Sequence, residues 1–241
     1  MYGTEVAEVY DELYVDGRGK DYAAEADALT ALVRSRSPAA ASLLDVACGT
    51  GGHLAHLRRR FERAAGVELS EAMRELAGAR LPGVPVYAGD MRTFDVGATF
   101  DAVTCLFSSI GYVEGIDELR QAVTRMATHV NPGGVLVIER WFTPEEWHDG
   151  HVSYTVADRG GRNLVRMGHS SRAGRVSRMR DHYLVGDPGT GVRHFEVEHV
   201  MTLFTTEEYV DAIAAAGLSL AGWSSGLAEG RRLLTAVRCT V

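Results

Sequence analysis

The chain has few cysteines, no excess of positive charge and no long apolar run, and each shortage removes a class of protein. Cys48, Cys105 and Cys239 are odd in number and far apart. Neither a disulfide framework nor a cysteine-ligated zinc site is expected, and each cysteine sits in an apolar stretch that reads as core holding a reduced thiol. A formal net charge of -7 gives no global basic surface, which argues against a nucleic-acid partner. No apolar stretch approaches the roughly 20 residues of a membrane span. The opening M-Y-G-T-E-V-A-E lacks the basic and apolar regions of a signal peptide, so the expectation is a cytoplasmic protein without a membrane partner. Histidines are scattered: His194 and His199 fall in a run read as strand, where residues five apart face opposite sides, and no metal site is expected.

What is present suits one large α/β domain, alone or with an inserted subdomain: 241 residues, 46% of them hydrophobic. Apolar residues recur at helical spacing over residues 5–14 and 21–33, with Gly17-Arg18-Gly19 between them. Short β-type runs follow at 42–47, 64–68, 84–88, 101–107 and 135–139, separated by helical segments. One of these opens with Ser70 as its N-cap, and Asn131-Pro132-Gly133-Gly134 reads as a turn before the fifth strand. Such alternation predicts a parallel, doubly wound sheet. From 151 to 204 the pattern becomes antiparallel, with turn signals at 159–161, 173–174 and 187–189. A helix capped at Thr205 or Thr206 and two closing strands complete the chain. The expected fold class is therefore α/β, a mainly parallel sheet with an inserted antiparallel β-subdomain. Residues 1–150 and 205–241 form the first unit, and 151–204 the β-rich insertion.

Chemistry is concentrated at the strand ends. Residues 43–54, L-L-D-V-A-C-G-T-G-G-H-L, run a strand through a glycine-rich turn into a helix, a construction that brings backbone N–H groups close to a ligand. The dinucleotide fingerprint G-x-G-x-x-G is not met, because Ala47 stands at its first glycine. The string D-V-A-C-G-T-G resembles the first motif of class I S-adenosyl-L-methionine (SAM) methyltransferases, although a purely structural turn stays open at this point. Glu68 ends the second strand about 20 residues on, where an acid would accept both ribose hydroxyls. Asp90 follows the third strand, placed to accept from an adenine amino group, and Met91 to pack on the ring. After the fourth strand comes L-F-S-S-I-G-Y, whose Tyr112 is either a residue facing the transferred methyl group or a packing aromatic.

A closer resemblance covers nearly the whole chain. G-K-D-Y, S-L-L-D-V-A-C-G-T-G, G-D-M-R, F-S-S-I-G-Y, N-P-G-G-V, E-R-W-F-T-P-E and G-R-R-L-L are similar to motifs of the SAM-dependent N-methyltransferases of thymidine diphosphate (TDP)-linked deoxyamino sugars, class I enzymes of antibiotic sugar biosynthesis. The resemblance implies SAM as cofactor and a TDP-amino sugar as substrate, methylated once or twice on nitrogen, and a homodimer. It places Tyr10 and Tyr22 at the methionyl end of SAM, and Gly49 and Gly51 in the backbone-binding turn. Asp45, Ala47, Glu68, Leu69, Met73, Asp90, Met91 and Leu106 complete the cofactor set. Tyr2 and Tyr112 would approach the amine as the catalytic pair. Trp141, His169, Ser171, Arg172 and Arg231 would help hold the nucleotide sugar. Glu139-Arg140-Trp141-Phe142 departs from the family's E-P-W-W, and the G-R-R replaces G-R-G. Against this reading stand another small-molecule SAM methyltransferase acting on oxygen or a different amine, a SAM-binding regulator without turnover, and an NAD-dependent oxidoreductase.

Overall fold

A computed structural model of the chain describes residues 3–228 and 230–240. It opens with α1 (Thr4–Asp11), a π-helical turn (Glu12–Asp16) and α2 (Tyr22–Arg36). Strands and helices then alternate as β1 (Ser42–Val46), α3 (Gly52–Leu57), β2 (Arg63–Glu68), α4 (Glu71–Arg80), β3 (Val86–Ala88), β4 (Phe100–Cys105), α5 (Gly115–Thr128) and β5 (Val130–Arg140). Four strands follow, β6 (Val152–Arg159), β7 (Arg162–Ala173), β8 (Val176–Asp187) and β9 (Gly191–Thr202), before α6 (Thr206–Ala215), β10 (Ser219–Ser225) and β11 (Arg232–Val237). The first sheet has seven strands in the order β10-β11-β5-β4-β1-β2-β3, and the second is the four-stranded meander β6-β7-β8-β9.

Strands β1 to β5 pair in parallel, and β11 joins β5 and β10 antiparallel. Strand β1 is buried at every position, as a strand with both faces covered by helices must be, which is why Leu43, Leu44 and Val46 are apolar on both faces. Leu29, Val33, Leu54 and Leu57 pack on one face of this sheet; Leu119, Val123, Met126 and Ile213 pack on the other. The strand order reverses between β4 and β1, and at such a switch point the connecting loops diverge and leave a crevice at the carboxyl ends.

Local chemistry starts the helices. Asp21 accepts from the N–H groups of Ala23 and Ala24 at the head of α2, Ser70 from Met73 at α4, and Thr205 with Glu208 forms a reciprocal capping box at α6. The first helix is shorter than its periodicity predicts. Beyond Asp11 the backbone widens, and Gly17 bonds back to Glu12 rather than one residue closer. The N-P-G-G segment lies within β5 rather than ahead of it, because the ladder to β4 slips between Phe100 and Ala102 and takes the tight turn into the strand.

The second sheet alternates strictly. Leu164, Tyr183, Val185 and Phe195 face α1, meeting Val6, Val9 and Leu13, whereas Tyr154, Met167, Leu184 and Val192 face outward and are exposed. Cys48 and Cys105 are buried, but Cys239 is exposed beyond the last strand, so only two of the three cysteines expected in the core lie there. No helix among the described residues is long and apolar enough to cross a membrane.

Candidate active site

The turn after β1 is built by three left-handed residues. Ala47, Gly49 and Gly51 have φ of 58°, 58° and 76°, and the conformation costs a non-glycine residue such as Ala47 energy. Among the described residues the other non-glycine positions of this kind are Phe107 and Ser108, in the loop after β4. All three lie at carboxyl ends of adjacent central strands, where stored strain marks a site better than it marks a scaffold.

Glu68 ends β2 with its side chain turned across the glycine turn. It is 7% exposed, its Oε2 accepts from Gly49 N at 2.9 Å, and its Oε1 accepts from Ser70 N at 2.8 Å. A carboxylate offers about four lone-pair sites, so this anchored group keeps acceptor capacity on both oxygens. Asp45, one strand over, is 2% exposed at the floor of the turn: Thr104 donates to it at 2.8 Å, and burial pushes its carboxyl up to about 6. Asp90 takes three donors from Arg92, two from the guanidinium and one from the backbone, and the hydrogen-bonded guanidinium holds its carboxyl below the usual range.

Gly52 lets an aromatic wall close on the turn. A Cβ there would sit 2.6 Å from the ring of Tyr22, so only glycine admits that contact. Tyr22 meets His53 edge-on at 4.8 Å, and His53 contacts Glu25 at 2.5 Å. Lys20 bonds Glu25 at 2.7 Å and lies 4.3 Å from the centre of the Phe107 ring. Tyr10 is buried against Tyr14, which in turn meets Phe107 edge-on. Burial lifts the Tyr10 hydroxyl well above its ordinary value, so it stays protonated and acts by shape and hydrogen bonding.

The opposite wall comes from the loop after β4 and from β9. Glu139, 0% exposed, accepts from the N–H groups of Phe107, Leu227 and Ala228 and so ties that loop to the chain's last turn. Tyr112 stands above, its hydroxyl 2.7 Å from Nδ1 of His199 on β9. Together these walls enclose a cleft of about 510 Å³, within the usual range for a small-molecule site. Five carboxylates line it, Asp45, Glu68, Asp90, Glu114 and Glu198, against the paired cations Lys20 and Arg92. Such a field suits a cationic ligand and opposes the diphosphate of a dinucleotide.

The structure brings most of the sequence-predicted residues to this cleft. Tyr10, Tyr22, Asp45, Ala47, Gly49, Glu68, Leu69, Met73, Asp90, Met91, Leu106 and Tyr112 line it. Gly51 lies just behind as the N-cap of α3. Trp141 is buried beneath Tyr112, its indole donating to Ser177. Arg231 stacks on Trp141 and Phe142, with its guanidinium 4.1 and 3.8 Å from their ring centres, and burial lowers its ordinary value to about 10. His169 and Ser171 belong instead to a shallow pocket on the outer face of the second sheet, shared with Arg178, Arg180, His182 and Glu198. Arg172 bonds the carbonyl of Pro144 outside both. Tyr2 lies outside the described residues. Sequence reasoning missed Lys20, His53, Glu198 and His199. Strand alternation was the signal for His199, since it sets that residue on the buried face of β9.

With that geometry established, comparison with known proteins identifies the class. A methyltransferase-domain family model matches residues 43–134, the segment carrying the glycine turn, Glu68 and Asp90. The fold is that of the class I methyltransferases, with SAM as cofactor. A solved SAM-bound amino pentose methyltransferase from Micromonospora echinaspora, involved in calicheamicin biosynthesis, superimposes with a TM-score of 0.87 at 44% identity, covering 99% of this chain and 98% of that one. The dTDP-3-amino-3,4,6-trideoxy-alpha-D-glucopyranose N,N-dimethyltransferase of Streptomyces venezuelae is 50% identical over 98% of this chain and 99% of its own length. The dTDP-4-amino-2,3,4,6-tetradeoxy-D-glucose N,N-dimethyltransferase of Saccharopolyspora spinosa is 45% identical over 99% and 94%. The chain belongs to this family of sugar N,N-dimethyltransferases.

Proposed function

We propose that this protein methylates the amino nitrogen of a TDP-linked deoxyamino sugar, twice, in the biosynthesis of an antibiotic sugar in the cytoplasm. The observation that carries the reading is the single cleft in which an anchored carboxylate on the glycine turn, Glu68, faces a hydrogen-bonded tyrosine, Tyr112, across an anionic floor. SAM, when bound, supplies a methyl group on positively charged sulfur, and a nitrogen–carbon bond forms as the sulfur–carbon bond breaks. The residues present suit it. Glu68 has acceptor capacity for ribose hydroxyls, Asp90 for an adenine amino group, and ionised Asp45 offsets positive charge; Tyr10 and Tyr22 exclude water from the methionyl end.

What remains is positioning, which alone contributes several kcal/mol or more to such a displacement. Tyr112 accepts a hydrogen bond from the amine and holds its lone pair toward the methyl group; Tyr2 is assigned the same task from the N-terminal side. Glu198 on β9 is common to the cleft and the shallow outer pocket. His169, Ser171, Arg178 and Arg180 are assigned to the diphosphate there, a role that suits guanidinium forks. Trp141 and Arg231 set the wall behind Tyr112, and residues 151–204 act as the substrate-binding unit.

The same outer face supports a homodimer. Val152, Tyr154, Val156, Met167, Leu184 and Val192 are 46–74% exposed on one side of one sheet, and such an apolar patch marks a contact surface.

Transfer of radiolabelled methyl from SAM tests the reading. Label should appear on a TDP-aminodeoxysugar and not on the matching hydroxy sugar. Label on the hydroxy sugar alone, or on neither from protein that binds SAM, overturns it.

A further inference from the structure

Behind Tyr112 lies a polar chain that substrate positioning does not require. His199 is 8% exposed, and its Nδ1 faces the Tyr112 hydroxyl at 2.7 Å. Its Nε2 is 3.8 Å from Oδ2 of Asp181 on β8, which is itself 5% exposed. Arg166 on β7 stands 3.5 Å from the same carboxylate oxygen. Gly168 lies opposite Asp181 in the ladder, and a Cβ there would collide with the carboxylate; a glycine inside a strand often marks such a close approach. Three successive strands of the second sheet thus place an acid, an imidazole and a cation in one line running inward from the cleft wall.

Resting on the proposed function, we propose that His199 is the proton acceptor for the sugar amine, reached through Tyr112, with Asp181 as the positioning residue that supports the imidazolium. An amine that arrives as an ammonium ion has no lone pair to attack with, and neither has the monomethylated amine in its protonated form. In the step proposed, an N–H bond of the ammonium breaks and its proton goes to the Tyr112 oxygen. The O–H proton of Tyr112 passes to Nδ1 of His199. The amine is left neutral, Tyr112 is unchanged, and the positive charge has moved to the imidazole, which returns its proton to solvent as product leaves. Asp181 next to Nε2 selects the tautomer with its hydrogen there, leaving Nδ1 as the acceptor. Burial lowers the affinity of His199 for a proton, Arg166 adds to this and Asp181 opposes it; the imidazole is therefore neutral at neutral pH and begins each cycle able to accept. Oriented base catalysis of this kind is typically worth about 10²–10⁴-fold.

His199→Asn separates the two roles, since the amide keeps a hydrogen-bond partner for Tyr112 but takes up no proton. SAM affinity, measured by calorimetry, should be unchanged. At pH 7 kcat/KM for the amino sugar should fall about 100-fold and recover to near wild type above the amine's own pKa, where neutral amine is abundant. Equal rates at pH 7, or pH profiles that run parallel, overturn the proposal. NMR of histidine-labelled protein supplies a readout without turnover: His199 should titrate below its ordinary range, and lower again in Asp181→Asn. An unchanged titration in that variant overturns the role of Asp181. Failure of the wild-type protein to methylate any amino sugar would instead sink the functional reading beneath the proposal.

Discussion

Glu68 shows how one side chain joins two parts of the fold at the rim of the cleft. Its two oxygens are fixed by backbone N–H groups of the glycine turn and of the α4 cap, so the carboxylate is ordered before any ligand arrives. Glu68→Ala should raise the SAM Kd about 10- to 100-fold, the range for losing a charged hydrogen-bond acceptor; titration calorimetry checks it, and an unchanged Kd would remove Glu68 from the site. Asp45 predicts a pH effect. Its folded-state value, about 6, is raised above 3.8 by burial, so its contribution to stability is complete below 3.8 and is lost as pH rises through about 6. Above that, a buried unpaired charge weakens the ligand-free protein and favours a cation. SAM should therefore bind more tightly as pH rises through 6. Asp45→Asn should flatten that dependence and raise the ligand-free Tm at pH 7 to 8. The placement of Glu68 and Asp90 at the cleft was legible from sequence because strand ends follow from periodicity. His199 was not, since its partners Tyr112 and Asp181 lie 87 and 18 positions away and only the folded second sheet joins them. Arg140, unassigned in the sequence, proves structural: it is 2% exposed and pins the loop after β5 through paired 2.6 Å bonds to Glu146.

At the level of elements, period and punctuation carried most of the information. The three turn signals between 151 and 204 separate the four strands of the meander, and the caps at Ser70 and Thr205 open α4 and α6. What was illegible depended on neighbours. The N-P-G-G segment reads as a turn in isolation, yet it joins β5 because β4 supplies hydrogen-bonding partners on both sides of the slip. The first helix ends early, at Asp11, and the π-helical turn that follows it packs against β6. Alternation along β6 to β9 also exposes the apolar outer face, and this yields a prediction at the same scale. Tyr154→Asp, at a position 73% exposed, should convert a dimer to monomer in sedimentation velocity with its far-ultraviolet dichroism intact. A monomeric wild-type protein would contradict the assignment of that face.

Across the whole molecule, the two sheets divide the labour. The parallel sheet presents a strained, glycine-rich rim at its switch point, and the meander closes that rim with Val197, Glu198, His199 and Val200. The acidity of the cleft matches a sulfonium donor, whereas the arginines of the outer pocket match a diphosphate. The relatives from Streptomyces venezuelae and Saccharopolyspora spinosa are named for 3-amino and 4-amino sugars respectively, so the position of the acceptor is the property their shared fold leaves to side chains. Mass spectrometry after incubating the protein with SAM and a panel of TDP-linked 3-amino and 4-amino deoxysugars tests the account most directly. It predicts one methyl group and then a second on a single panel member; no gain on any member, from protein that binds SAM, would contradict it.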